Sequence, residues 1–266
     1  MINMGFPQAF FAILVLYLVA TLFYLLRLVI GQRALGAIAL RIMMLAAFVQ
    51  TAVLAVHFLS TREPWFSSWL EYFQIAAVAI AWSFITLCFT RKLYAGGPLF
   101  SALVVVLCLL SLTYDNPYRI GIAERGNGYL YIHLTAMFLS LSVLSVGFLA
   151  SILFLLAERQ IKTKRFEGWL AKLPPLEVIQ TVHDRALTAG FLFYTLSVLA
   201  GAGFAKVSSG HYLSGGTKQW LGVGSWLFFA TFINLRNRIG LIGHKGMAAA
   251  LASYAVLFFV FWVGFS

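Results

Sequence analysis

The sequence predicts an all-α, polytopic membrane bundle of about eight transmembrane helices, with both termini outside the cytoplasm. Three observations predict it. Hydrophobic residues make up 62% of the 266-residue chain and charged residues only 10%, where a soluble domain carries about 25% charged. The apolar residues run on for about 20 positions at a time, enough to cross roughly 30 Å of hydrocarbon. The runs are continuously apolar, whereas the strands of a membrane barrel alternate over about 10 residues.

The runs fall at about 7–30, 35–59, 72–90, 98–114, 129–157, 186–205, 219–235 and 247–265, the fourth and seventh being the shortest. The first follows a stretch without Lys or Arg, so it lacks the basic region of a signal peptide and is expected to be retained. The second ends at His57. The third begins near Trp65, Trp69 and Tyr72, which read as an aromatic belt at the membrane interface. Cys88 and Cys108 lie inside the third and fourth runs with no CxxC or CxxCH motif. They read as small buried hydrophobes, which argues against thiol–disulfide chemistry and covalently attached haem. The fifth run opens with His133, after a turn-rich cap at 114–128. The sixth is preceded by Pro174-Pro175 and Glu177, so its helix is expected to start before the bilayer with a carboxylate in its first turn. The seventh ends at Arg236 and Arg238, which read as interfacial anchors, and His244 precedes the eighth.

Orientation follows from the basic residues. If the N-terminus lies outside, fourteen of the 19 Lys and Arg residues fall on the cytoplasmic face. Only Arg62, Arg119, Arg125, Lys206 and Lys218 lie opposite. Acidic residues divide evenly, so the asymmetry belongs to the basic ones, as the positive-inside rule requires. The net charge of +11 therefore belongs to short loops facing anionic lipid headgroups and not to a nucleic-acid interface. The bilayer is the expected partner, in a bacterial inner membrane. No linker divides the chain, so residues 1–266 read as one transmembrane domain. The internal segment 158–184, with Trp169, Leu170 and Leu173, reads as partly interfacial.

No P-loop, GxSxG, HExxH or dinucleotide fingerprint appears, and no catalytic residue is assigned. Carboxylates are missing from the middle of every run, which counts against an ion-coupled pump. Five histidines remain, each near a membrane boundary: His57, His133 and His211 on the external side, His183 and His244 on the internal side. Imidazoles from different helices can clamp one haem edge-on. His133, placed in the first turn of its helix, is kept in the ligand-competent neutral form by the helix dipole. His57 shares a helical face with Gln50. His133 shares one with Met137 and Ser140, and His183 one with Leu176, Ile179, Leu187 and Gly190. His211, in a Ser/Gly-rich loop, is the member best explained as incidental.

From about Tyr129 onward the chain resembles the cytochrome c assembly protein family, which includes the CcsA, HemX and YpjD-type membrane proteins. The residues that carry the resemblance are Tyr131-Ile-His133, Leu173-Pro-Pro-Leu-Glu177, Arg185 with Gly190-Phe191, Gly201-Ala-Gly-Phe-Ala205, Lys218-Gln-Trp220, Trp226 and Gly243-His-Lys-Gly246. His57, Leu70-Glu71 and Trp82 fit more loosely. The resemblance implies that His133 matches an external haem-ligating histidine. Where CcsA proteins carry a tryptophan-rich segment ending in Trp-Asp-Pro-Lys-Glu, this chain reads Ser214-Gly-Gly-Thr-Lys218. Where they carry Leu-His-x-Arg, it reads Leu235-Arg-Asn-Arg238. It also stops at Ser266, before their last external histidine. These departures favour the short HemX or YpjD-like branch.

The leading expectation is a haem-handling membrane protein of cytochrome c assembly or haem metabolism. It would bind haem b through His133 and His57 outside and His183 and His244 inside, alongside other maturation or haem-biosynthesis proteins. The alternatives are a small-molecule or ion permease, and a non-catalytic scaffold that holds a partner through the basic loop at 158–184.

Overall fold

A computed structural model describes residues 5–61, 69–113, 127–163, 173–213, 215–240 and 243–265. Within them the chain forms eight α-helices and no strand: α1 Gly5–Ile30, α2 Arg33–Thr61, α3 Trp69–Arg91, α4 Gly97–Thr113, α5 Gly128–Thr163, α6 Leu176–Ser209, α7 Thr217–Ile239 and α8 Gly243–Phe265. Each follows an expected run. In hydrocarbon a helix satisfies every backbone N–H and C=O within its own segment, so an uninterrupted apolar run has little alternative. Residues 114–126 of the expected cap at 114–128, most of the interfacial segment (164–172) and Trp65 lie outside the described residues.

Seven of the eight helices are long and apolar enough to cross a membrane; α7 is the exception. Its 23 residues suffice in length, but Gly222, Gly224, Ser225 and Thr231 dilute the apolar run and Asn234 and Arg236 follow close behind. Two helices exceed the expected lengths. With 36 and 34 residues, α5 and α6 are each about 50 Å long at 1.5 Å per residue, well beyond the hydrocarbon thickness. Helix α6 begins at Leu176, directly after Pro174-Pro175, with Glu177 in its first turn.

The helices form two compact units. Helices α1–α4 make the first, to which the end of α5 from Gln160 also belongs; α5 up to Arg159 makes the second with α6–α8.

The first unit is tied by a buried polar chain through all four helices. The Tyr17 hydroxyl donates to Gln50 Oε1 (2.8 Å). Gln50 Nε2 donates to the Gln74 carbonyl (3.1 Å) and side-chain oxygen. Gln74 Nε2 donates to Ser111 Oγ (2.7 Å), which donates to the Cys108 carbonyl (2.7 Å). Tyr17, Gln50 and Gln74 are completely buried. Lipid supplies no hydrophobic drive between helices, so such bonds and close backbone contacts hold a bundle together. Close approach also explains Gly97: a Cβ there would stand 2.3 Å from the Tyr24 ring.

The second unit packs around Leu144, Leu187, Tyr194, Phe229, Ala250, Tyr254 and Leu257. Glycines set the spacing of α5 and α6. Leu144 lies against Gly190, the His133 ring against Gly201 and the Tyr129 ring against Gly203, while Ser140 Oγ donates to the Gly190 carbonyl (2.9 Å). Helix α7 joins α6 through Tyr194, whose hydroxyl meets Ser225 Oγ (2.5 Å), and through Trp226, whose Nε1 donates to Thr195 Oγ1 (3.0 Å) and whose ring stacks on Phe191.

Candidate functional site

The N-terminus of α5 is set by Asn127. Its side-chain oxygen accepts from the Tyr129 amide (3.0 Å), and its carbonyl accepts from the amides of Leu130 and Tyr131. Short polar side chains compete well for these otherwise unpaired amides. With the helix starting at Gly128, His133 falls in its second turn. The first-turn dipole argument therefore weakens, because that field fades beyond the first turn.

Tertiary contact does the work instead. His133 Nδ1 lies 2.7 Å from the Ser197 carbonyl of α6 and 3.1 Å from Ser197 Oγ. The Ser197 hydroxyl donates back to the His133 carbonyl (3.1 Å). A carbonyl only accepts, so Nδ1 carries the proton and Nε2 of the neutral ring keeps its lone pair. No described residue engages that Nε2. Gly201 makes room for the ring, since a Cβ there would lie 2.9 Å from Nδ1. An imidazole held through Nδ1–H on a backbone carbonyl, with Nε2 open, has the second-shell arrangement common to metal-ligating histidines.

The other candidates stand differently. His57 belongs to the first unit, where its Nε2 lies 3.0 Å from Oε1 of Glu71, a carboxylate only 3% exposed in the first turn of α3. Gln50, two turns earlier on the shared face, is buried in the polar chain. His183 is completely buried on its predicted stripe, with Nδ1 2.8 Å from Ser151 Oγ and 3.2 Å from the Gly147 carbonyl. His244 is exposed, its Nδ1 2.8 Å from Glu158 Oε2. His211 is exposed in the α6–α7 connection.

His183 and His244 are anchored at different levels of the bundle. Their α5 partners, Ser151 and Glu158, are two turns apart, about 10 Å along the axis. Tyr254, which packs edge-on against the His183 ring, is ten residues from His244 on α8, about 15 Å. Two imidazoles on one ion need nitrogens within about 4 Å, twice a metal–nitrogen bond of about 2 Å. Nor does any group of three or more His, Cys, Asp or Glu side chains among the described residues have a geometry to hold a metal ion. An isolated imidazole suits a haem, whose macrocycle supplies the four equatorial nitrogens and asks the protein for axial ligands alone.

Several residues the site depends on gave no local signal. Ser197 is 64 positions from His133, and nothing in its own helix marks it. Arg236, expected to be a surface anchor, is 9% exposed and ion-paired with Asp184 of α6. Tyr254 reads in sequence as one more apolar residue of α8.

Comparison with known proteins adds a separate line. Residues 8–266 match the family described as Cytochrome C assembly protein. Similar proteins include the cytochrome c biogenesis protein CcsA of Chlamydomonas reinhardtii, 30% identical over 137 residues, 51% of this chain and 37% of that protein. The CcsA of Guillardia theta is 24% identical over 232 residues, 80% and 77% of the two chains. That of Heterosigma akashiwo strain CCMP452 is 27% identical over 208 residues, 65% and 63% of the two. The chain thus spans from about a third to three quarters of the length of these relatives.

Proposed function

Because the chain belongs to the cytochrome c assembly protein family, we propose that it is a haem-handling, multi-pass membrane protein acting in cytochrome c assembly or haem metabolism, and that His133 is an axial ligand to haem b. The observation that carries this reading is the His133–Ser197 arrangement: Nδ1–H is committed to a backbone carbonyl and Nε2 is open. Haem iron bound there would be tuned by the basicity that the carbonyl confers on the imidazole.

The departures at Ser214–Lys218 and at Arg236 support a short, HemX- or YpjD-like role over complete delivery of haem to an apocytochrome. They would leave maturation or haem-biosynthesis proteins as partners, in a bacterial inner membrane. A permease finds less support. The buried polar side chains of the first unit satisfy one another from Tyr17 to Cys108, whereas a path for solutes needs polar groups open to the solute.

The test is a visible spectrum of protein purified in detergent with haem supplied. The wild type should show a Soret band, and H133A should lose most of it while eluting as a folded protein. A band of full intensity in H133A removes the assignment. H244A, replacing an exposed ring, should leave the band unchanged. H57A measures separately whether the pair with Glu71 contributes to haem binding at all.

A further inference from the structure

His183 is the least explained group in the second unit: completely buried, far from any role at His133, and bonded on one side only. Ser151 Oγ donates to the Gly147 carbonyl (3.0 Å), which uses its single proton. The His183 Nδ1 contacts with Ser151 Oγ and with the Gly147 carbonyl therefore require Nδ1–H as the donor. Nε2 is then left as a lone-pair acceptor with no protein partner.

What it faces is another acceptor. Asp184 Oδ1 lies 4.0 Å from His183 Nε2. Two acceptors at that separation repel each other unless a donor stands between them, and a buried polar atom without a partner is destabilising. Two hydrogen bonds of about 2.8 Å meeting at one water oxygen span that distance when the angle between them is about 90°. The surroundings are polar on each packed element: Ser151 on α5, Asp184 on α6, Arg236 on α7, ion-paired with that same Asp184, and Tyr254 on α8. The Tyr254 hydroxyl is likewise buried without a partner. It lies against Gly147, the residue whose carbonyl holds His183, and its ring packs edge-on against the imidazole at 6.2 Å. A buried water usually has two to four polar partners, and this place supplies them.

We propose that His183, Asp184 and Tyr254 bind one water molecule that bridges His183 Nε2 and Asp184 Oδ1. The Asp184 side chain is 43% exposed and the His183 side chain fully buried, so the water joins the open side of the site to the closed one. Arg236 holds the carboxylate in place.

The experiment is water-edited solid-state nitrogen NMR on the full chain, labelled at histidine and reconstituted in lipid. H183N, whose amide can still donate to the Gly147 carbonyl, identifies the His183 signals by their loss. At neutral pH, Nε2 of His183 should be unprotonated and hydrogen-bonded, and should receive magnetisation from a bound water. Exposed His211 serves as the positive control. D184N should reduce the transfer at least twofold. Since D184N also leaves Arg236 without its partner, Y254F provides a second variant that should reduce the transfer with the ring packing kept. Water transfer to His211 but not to His183, an Nε2 already protonated at neutral pH, or transfer unchanged in both variants would each overturn the proposal.

Discussion

Gly201 sits where the His133 ring crosses from α5 to α6, and its missing side chain is what lets Nδ1 reach the Ser197 carbonyl at 2.7 Å. A methyl group 2.9 Å from Nδ1 has to push the ring outward, and ligand geometry tolerates displacements of only about 0.5 Å. G201A is therefore expected to lower the haem content of the purified protein severalfold with its helical circular dichroism unchanged. G203A, which meets the Tyr129 ring instead, should lower it less. Equal haem content in G201A and wild type would show that the ring position is not what the site depends on. The motif Gly201-Ala-Gly-Phe-Ala205 is thus a pair of ring-sized notches. From sequence its order could be read, but its purpose could not, because the rings that fill it belong to another helix.

Among the helices, the first unit relies on a donor–acceptor chain whose members cannot be replaced one at a time. Replacing Gln74 by Leu removes the side-chain acceptor of the Gln50 amide and the donor to Ser111 Oγ, leaving Gln50 Nε2 only the backbone carbonyl of residue 74 and Ser111 Oγ only its bond to the Cys108 carbonyl, at about 1–3 kcal/mol for hydrogen bonds lost in a buried setting. Q74L should lower the detergent melting temperature by several degrees, and Q50L should do likewise. The double variant should cost clearly less than both together, since each change has already broken the bond the other breaks. Strict additivity would mean that the chain contributes nothing as a unit. A similar logic applies at the mouth of α2 and α3. H57A removes a hydrogen-bond partner of a carboxylate 3% exposed, so it should destabilise the protein, and H57Q, which still offers a donor, should recover part of the loss. The existence of these helices was legible throughout, because hydrophobic run length sets it. One end was legible in detail, at α6, where Pro174-Pro175 interrupts the backbone just before Leu176. The buried Gln50–Gln74 pairing was not, because a lone glutamine in an apolar run looks the same whether it meets a partner or a headgroup.

For the whole molecule the open quantity is the parity of membrane crossings. Fourteen of the 19 basic residues share one side if all eight helices cross with the N-terminus outside, yet α7 is not apolar enough by composition alone. Its polar positions are partly absorbed by α6: Ser225 meets Tyr194, and Arg236 meets Asp184. We expect α7 to cross, with paired groups offsetting its lower hydropathy. Reporters fused at the two termini should then both be active outside the cytoplasm. Reporters active on opposite sides would mean seven crossings and would overturn the expected placement of both termini outside.

Composition and run length by themselves determined that this chain is a helical membrane protein, where its helices lie, and which five imidazoles are available for chemistry. That information is local, since a helix in lipid satisfies its backbone within its own segment. Which imidazoles are open and which are occupied was decided only by tertiary structure. Ser197 anchors His133, Glu71 occupies Nε2 of His57, and the anchors of His183 and His244 fall two turns apart on α5. Each of these is a contact between residues distant in the chain, set by how helices pack and not by what any one of them contains.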